Sequence, residues 1–316
     1  MVEPGVKAVL QYRASTGFRA QLEAARPDWL SLAVVDEDDY AAFGREMAAA
    51  DVLLHVLEPV TAAVIAAAPR LRLIQKIGVG VNTIDLDAAS AHGAAVCNMP
   101  GSNSRAVAES ALLLMLAALR RAVPFDRATR DGRGWRMDAD EFDRVGEIGG
   151  RTVGLVGHGS IPRLLEPVLT ALGAAVLHTS RRPDGLGWVP LDELLSRSDV
   201  VSLHVPLTGE TARMINSDSI ARMKPGAVLV NTARGGLVDE AALADALRSG
   251  RIRAAGLDVL ALEPAESGNA LFALDNVIVS PHVAWLTPET LARSIHVAME
   301  NCRRLRAGEA LLNRVA

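Results

Sequence analysis

With 316 residues the chain has length for about two domains. Half of its residues are hydrophobic but 3% are aromatic, so the core must be aliphatic. A formal net charge of −4 offers none of the basic surplus that a nucleic-acid binder shows. The two cysteines, Cys97 and Cys302, make neither a disulfide framework nor a metal-ligand spacing, which suits a reducing, cytoplasmic setting. No charged-then-apolar leader opens the chain. The most apolar stretch, Ala111–Leu119, falls far short of the roughly 20 residues a membrane span needs. A soluble protein without membrane or nucleic-acid partners is expected.

Short apolar runs at Lys7–Gln11, Leu32–Val35, Asp51–Leu57, Leu71–Ile77 and Ala94–Cys97 predict buried strands, with Ala-rich helical stretches between several of them. Asn98-Met99-Pro100-Gly101 breaks that pattern, and a long helix is expected from Ser102 to Arg121. Residues 122–150 are polar and Gly-rich and read as an extended connecting arm, with Trp135 as an isolated anchor. A second block follows, with strands near Thr152–Val156, Ala174–Thr179, Val200–Val205, Ala227–Asn231, Ala254–Asp258 and Val277–Ser280. Six parallel-type strands with helices between them predict a doubly wound α/β sheet. A final amphipathic helix, about Thr287–Ala307, is expected to return to the first block.

The turn after the first strand of the second block reads Gly157-His158-Gly159-Ser160-Ile161-Pro162. Gly157 permits a tight turn. Gly159 lets the backbone approach a pyrophosphate, whose charge rests on the helix N-terminus at Ser160 and Ile161. Pro162 departs from the dinucleotide fingerprint, which wants a third glycine there; it is tolerated in a first helical turn at the loss of one amide donor. Pro167 should bend the same helix. A bare GxG fits an ordinary strand–helix turn equally well, so its context must decide.

The next strand ends in His178-Thr179-Ser180-Arg181-Arg182, where an NAD site would carry an acidic residue for the ribose. A hydroxyl followed by two guanidiniums complements a 2′-phosphate instead. NADP is therefore the expected cofactor, with NAD possible; a solvated arginine pair is the alternative. Three later strand ends each deliver one ionisable side chain: Arg234 in Asn231-Thr232-Ala233-Arg234-Gly235-Gly236, Glu263 after Asp258, and His282 in Ser280-Pro281-His282-Val283-Ala284-Trp285. Ligands bind beyond the carboxyl ends of such strands. A guanidinium, a carboxylate and an imidazole there make an acid–base site with an anion clamp.

Taken with Ile77-Gly78-Val79-Gly80-Val81-Asn82, Asn98-Met99-Pro100-Gly101-Ser102-Asn103, Val107-Ala108-Glu109, Leu203-His204-Val205-Pro206-Leu207-Thr208 and Met223-Lys224-Pro225-Gly226, the chain resembles the D-isomer-specific 2-hydroxyacid dehydrogenase family over nearly its whole length. The resemblance implies a doubly wound Rossmann domain at 101–284, inserted into a smaller flavodoxin-like α/β substrate domain at 1–100 to which 285–316 returns. It implies His282 as proton donor and acceptor, Glu263 as its orienting carboxylate and Arg234 as substrate clamp. It further implies that the backbone of Val79, Gly80 and Val81 holds the substrate carboxylate, that Val205, Pro206 and Thr211 line the adenosine side, and that Ala233 and Asp258 flank the nicotinamide. Asn82 stands where many members have Asp.

Trp285, directly after the catalytic segment, adds bulk that would cap a short substrate side chain or pack the domain junction. His55 and Leu57 either face the substrate entrance or serve the core. Family precedent gives a homodimer, with the 105–121 helix and the following arm as its surface. The expected activity is NADP-preferring, reversible reduction of a small 2-keto acid such as glyoxylate or hydroxypyruvate. Two other readings stand beside it. One is a dinucleotide-sensing protein of the corepressor kind, although no extra docking segment is seen. The other is 3-phosphoglycerate oxidation, for which 316 residues leave no room for a regulatory extension.

Overall fold

The computed structural model of the chain describes residues 5–183 and 185–316. In chain order its first block runs β1 (Val6–Gln11), α1 (Thr16–Ala25), β2 (Leu30–Val35), α2 (Tyr40–Met47), β3 (Val52–His55), α3 (Ala62–Ala66), β4 (Leu73–Lys76), α4 (Leu86–His92) and β5 (Ala95–Cys97). Helices α5 (Ser104–Arg120), α6 (Ala122–Arg130) and α7 (Ala139–Asp143) lead into the second. That block runs β6 (Thr152–Val156), α8 (Ser160–Ala171), β7 (Ala175–Thr179), α9 (Leu191–Arg197), β8 (Val200–Leu203), α10 (Ser217–Arg222), β9 (Ala227–Asn231), α11 (Glu240–Arg248), β10 (Ile252–Leu257) and β11 (Val277–Val279), and α12 (Pro288–Ala307) closes the chain. Two compact units result: Met1–Asn103 with Leu286–Ala316, and Ser104–Trp285.

The first unit is a parallel five-stranded sheet in the order β2-β1-β3-β4-β5, the flavodoxin-like order. All four residues of β3 and of β4 are buried, as expected of strands covered on both faces. Asp51, expected to open β3, lies just ahead of it, where its carboxylate accepts the Lys7 amide at 2.9 Å. Helix α12 belongs to this unit. It starts at Thr287, whose hydroxyl accepts the Thr290 amide, and stops at Gly308 in a left-handed conformation. Its Asn301 amide donates to Gln75 Oε1 on β4 at 2.6 Å, fixing the helix to the sheet through a buried polar pair.

The second unit is a parallel six-stranded sheet in the order β11-β10-β9-β8-β6-β7. Since β6 pairs with both β7 and β8, the chain reverses direction across the sheet at the carboxyl end of β6. Helix α5 covers one face with Ala111, Leu114, Met115, Ala118 and Leu119. It comes so close to β10 that a Cβ on Gly256 would lie 2.8 Å from Leu114 Cβ.

Residues 122–150 are not an extended arm. They fold into α6, a 3-10 turn at Gly134–Arg136 and α7. The sequence carries local helix support that its polar composition concealed: Asp126 and Arg130 pair at 2.9 Å one turn apart. The buried Arg121 guanidinium bonds Glu141 at 2.6 Å, tying α7 to the end of α5. Trp135 anchors nothing, being 85% exposed. Among the described residues no helix is long and apolar enough to cross a membrane. Both cysteines are free and buried, and burial pushes the Cys97 thiol up to about 11 and the Cys302 thiol up to about 12.

Candidate active site

Arg234 is presented by a turn that its own strand builds. The buried Asn231 side chain, at the end of β9, accepts the Ala233 amide at 3.0 Å and donates to the Arg234 carbonyl at 2.8 Å. Gly235 then lies against the backbone of Leu260, where any Cβ would overlap the carbonyl group. That close approach sets the Arg234 loop on the loop carrying Glu263. The second loop is held in turn by Glu240 of α11, which accepts the Ala261 amide at 2.5 Å and the Asn269 side chain at 3.0 Å.

His282 is fixed by Asp258. The Asp258 carboxylate is buried and accepts three bonds, from Ser280 Oγ at 2.6 Å, the Val283 amide at 3.0 Å and the Ala284 amide at 2.9 Å. Its carbonyl accepts the His282 amide at 2.8 Å. Trp285, largely buried, donates its indole N–H to the His282 carbonyl at 3.0 Å. Within this frame His282 adopts φ 55, a left-handed backbone that histidine enters more readily than most residues.

The imidazole Nδ1 meets Glu263 Oε2 at 2.6 Å, while Glu263 Oε1 accepts the Leu260 amide at 2.9 Å. With Nδ1 committed, Nε2 is the nitrogen left for proton exchange. Burial alone would raise the Glu263 carboxyl, but hydrogen bonds from His282 and the Leu260 amide, with the charges of His282 and Arg234, bring it below its ordinary value. Burial draws the Arg234 guanidinium down from its very high value and Glu263 opposes the change. The expected catalytic residues are thus brought together within one unit. Asn231, Glu240 and Ser280, which shape and hold the three loops, were not foreseen.

The glycine turn sits at the carboxyl end of β6. Gly157 has φ 106, and a Cβ on it would lie 2.6 Å from the His204 carbonyl, so both conformation and space require glycine. Gly159 caps α8 without any side-chain bond to the first-turn amides, and nothing lies within 4 Å of where its Cβ would be. The open space and uncapped amides of Ser160 and Ile161 fit a pyrophosphate. Ser160 shares a hydroxyl bond with Ser104 at 2.8 Å, and Ile161 packs into the core. Pro162 is the third residue of α8, where an amide would have no helical partner. The helix continues through Pro167.

After β7, Ser180 Oγ bonds the Arg182 carbonyl, and Arg181 and Arg182 are exposed, with no ion-pair partner among the described residues. Val205 and Ala233 pack against the core, while the Thr211 hydroxyl donates to the Pro206 carbonyl at 2.7 Å. In the other unit the Val79–Val81 loop is tethered by Asn98, whose side chain donates to the Val79 carbonyl at 2.9 Å. His55 is buried and its Nε2 lies 2.6 Å from the Glu58 carbonyl, so it serves the core; Leu57 is exposed. Burial, with the Lys76 charge, lowers His55 to about 3, and burial lowers His204 likewise to about 3.

Residues 112–284 match the family model of the D-isomer specific 2-hydroxyacid dehydrogenase NAD binding domain, so a nicotinamide dinucleotide is the cofactor class. A D-3-phosphoglycerate dehydrogenase of Mycobacterium leprae is 42% identical over 294 residues, covering 90% of this chain and 55% of that protein. The chain therefore spans little more than half the length of that relative. A glyoxylate reductase of Korarchaeum cryptofilum is 40% identical over 268 residues, 82% of this chain and 80% of its own. Among solved structures, the TT0316 protein from Thermus thermophilus matches with a TM-score of 0.88 and 34% identity, over 98% of this chain and 100% of that one. With two parallel α/β sheets, the glycine turn and the paired imidazole and carboxylate in the matched region, the chain belongs to the D-isomer-specific 2-hydroxyacid dehydrogenase family.

Proposed function

We propose that the protein reduces a small, unphosphorylated 2-keto acid to the D-2-hydroxy acid, reversibly and with NADPH preferred, glyoxylate and hydroxypyruvate being the leading substrates. The observation that carries this reading is the 2.6 Å pair of His282 Nδ1 and Glu263 Oε2 in the same unit as the half-buried Arg234. The nicotinamide, when bound, supplies the hydride. His282 Nε2 delivers the proton to the carbonyl oxygen, and Glu263 stabilises the charged imidazole. Arg234 offers a planar fork of donors to the substrate carboxylate and to charge developing on the carbonyl oxygen. Val79, Gly80 and Val81 are the proposed carboxylate-binding amides, and Trp285 a wall for a short side chain.

Preference for NADPH rests on the exposed Arg181 and Arg182 beside Ser180 at the end of β7. Val205, Pro206 and Thr211 are assigned to the adenosine side, and Ala233 and Asp258 to the nicotinamide. We assign Ser104–Trp285 the dinucleotide and the other unit the substrate. A cytoplasmic homodimer completes the reading. Its support is the apolar surface of Leu113, Val123, Trp135 and Phe142, all exposed within the second unit.

The M. leprae relative favours a second reading, oxidation of 3-phosphoglycerate. A phosphorylated substrate calls for cations beyond Arg234, because a buried dianion without partners is costly. Steady-state kcat/KM for glyoxylate and hydroxypyruvate against 3-phosphohydroxypyruvate, each with NADPH and NADH, decides between the two. A clear win for the phosphorylated acid would overturn the first.

A further inference from the structure

Three ionisable side chains that the proposed reaction does not use meet beneath the dinucleotide turn. His158, between Gly157 and Gly159, stacks on His178 of β7, with ring centroids 3.6 Å apart and planes 15° from parallel. Glu166, on α8, brings Oε2 to 3.2 Å from His158 Nε2. The His178 ring is buried and the His158 side chain nearly so, at 7% exposure. His178 shares its strand face with Val176, which packs with Leu165 and Leu169 of α8. That layer would ordinarily be aliphatic throughout.

One donor atom from each of the three residues lies within 4.8 Å of the other two. We propose that His158, Glu166 and His178 form a binding site for a late first-row divalent cation of the Zn2+ kind. Two imidazoles with one carboxylate are a donor set that Zn2+ accepts, and a water completes a tetrahedron. Metal–nitrogen bonds of about 2.0–2.1 Å in that geometry place the donors about 3.4 Å apart. Turning the two rings out of their stack and drawing the Glu166 side chain inward closes the difference. Glu166, 37% exposed, leaves one side of the site open for the ion and its water.

The ion would join three segments: the glycine turn, α8 and β7. The Glu263–His282 pair is no rival site, because it offers two ligands and Arg234 repels a cation from it.

The test is calorimetric titration of the chelator-treated protein with Zn2+, and with Co2+ for its visible absorption. One equivalent of Zn2+ is expected, with the intense bands of four-coordinate Co2+. His158→Phe and His178→Phe, which keep a stacked ring, should weaken Zn2+ binding by well over the roughly tenfold that loss of an outer-shell partner costs. Glu166→Gln should weaken it in the same sense, and His282→Ala should bind as the wild type does. Failure of the wild type to take up a stoichiometric ion, or undiminished uptake by the phenylalanine variants, overturns the site. Should those variants not fold by circular dichroism, the half-exposed Glu166→Gln decides alone: unchanged affinity rejects the proposal.

Discussion

His282 Nδ1 and Glu263 Oε2 meet at 2.6 Å, and the roles proposed for the two residues are separable. His282→Ala removes proton transfer and is expected to lower kcat by roughly 100- to 10,000-fold while leaving the NADPH dissociation constant within a few-fold. Stopped-flow turnover and fluorescence titration of the same preparation read both. The Glu263 carboxyl lies below its ordinary value of 4.5 in the folded protein, so its pairing adds stability that is fully present above that value. The contribution fades only as pH falls through the depressed folded value. Activity should therefore show no acid limb from Glu263 until below the usual carboxylate range, whereas Glu263→Gln should lose activity at every pH.

His55 and His204 act with the opposite chemistry and the same sign. Their folded values of about 3, against an ordinary 6.5, mean that the unfolded chain takes up protons that the folded one refuses. The stability they contribute is complete above pH 6.5 and is lost as pH falls towards 3, by up to about 1.4 kcal/mol per pH unit for each group. Urea melts at pH 7 and pH 4.5 should differ less for His55→Asn than for the wild type. An unchanged difference would show that His55 is protonated in the native state.

At the scale of elements, loops are held by glycines whose replacement has a defined cost. Gly157→Ala places a Cβ 2.6 Å from the His204 carbonyl on a backbone with φ 106. Strain of about 1–3 kcal/mol is expected, with loss of NADPH affinity, measurable as a fall in melting temperature and a rise in Kd. Gly235→Ala should do more damage to turnover than to cofactor binding, since it separates the Arg234 loop from the Glu263 loop. In the segment after β7, neutralising both Arg181 and Arg182 should remove most of the proposed preference for NADPH, each charge-assisted bond to the 2′-phosphate contributing about 1.5–3 kcal/mol. Equal wild-type efficiency with the two cofactors would show that these arginines contribute nothing to the choice.

Strand positions were legible because Val, Leu and Ala runs buried on both faces leave a plain signature, and β6 and β9 fall at their expected ends. The grouping of Arg234, Glu263 and His282 in one unit was legible because each follows a strand end within a long motif. Their supports were not. Glu240 reaches Ala261 across 21 residues and Ser280 reaches Asp258 across 22, distances at which no local periodicity marks a partner. The segment 122–150 was misread because its polar composition concealed the Asp126–Arg130 pair within α6, and because the bond from Arg121 to Glu141 of α7 is one that composition does not encode. His158 and His178 lie in separate elements, and nothing local in the sequence marks their stacking.

For the whole molecule the first expectation is assembly. The exposed side chains of Leu113, Val123, Trp135 and Phe142 leave apolar area that a homodimer would cover. Light scattering at micromolar concentration should give twice the 33.4 kDa chain mass, and Trp135→Asp with Phe142→Asp should shift it towards the monomer. A wild-type protein that runs as a monomer would remove the dimer from the reading.

The proposed acid–base pair and the side chains described as orienting it lie between Ser104 and Trp285, whereas the Val79–Val81 loop is in the other unit. On the proposed assignment, proton transfer and the amides that hold the substrate carboxylate are inherited on different stretches of the chain. Substitutions around Val79 should then move KM from one keto acid to another without displacing the pH profile, which depends on bonds that those residues do not touch. On that assignment a lineage could retune its hold on the substrate by drift in its first hundred residues while the proton relay stays untouched, and a screen for new substrates would randomise there.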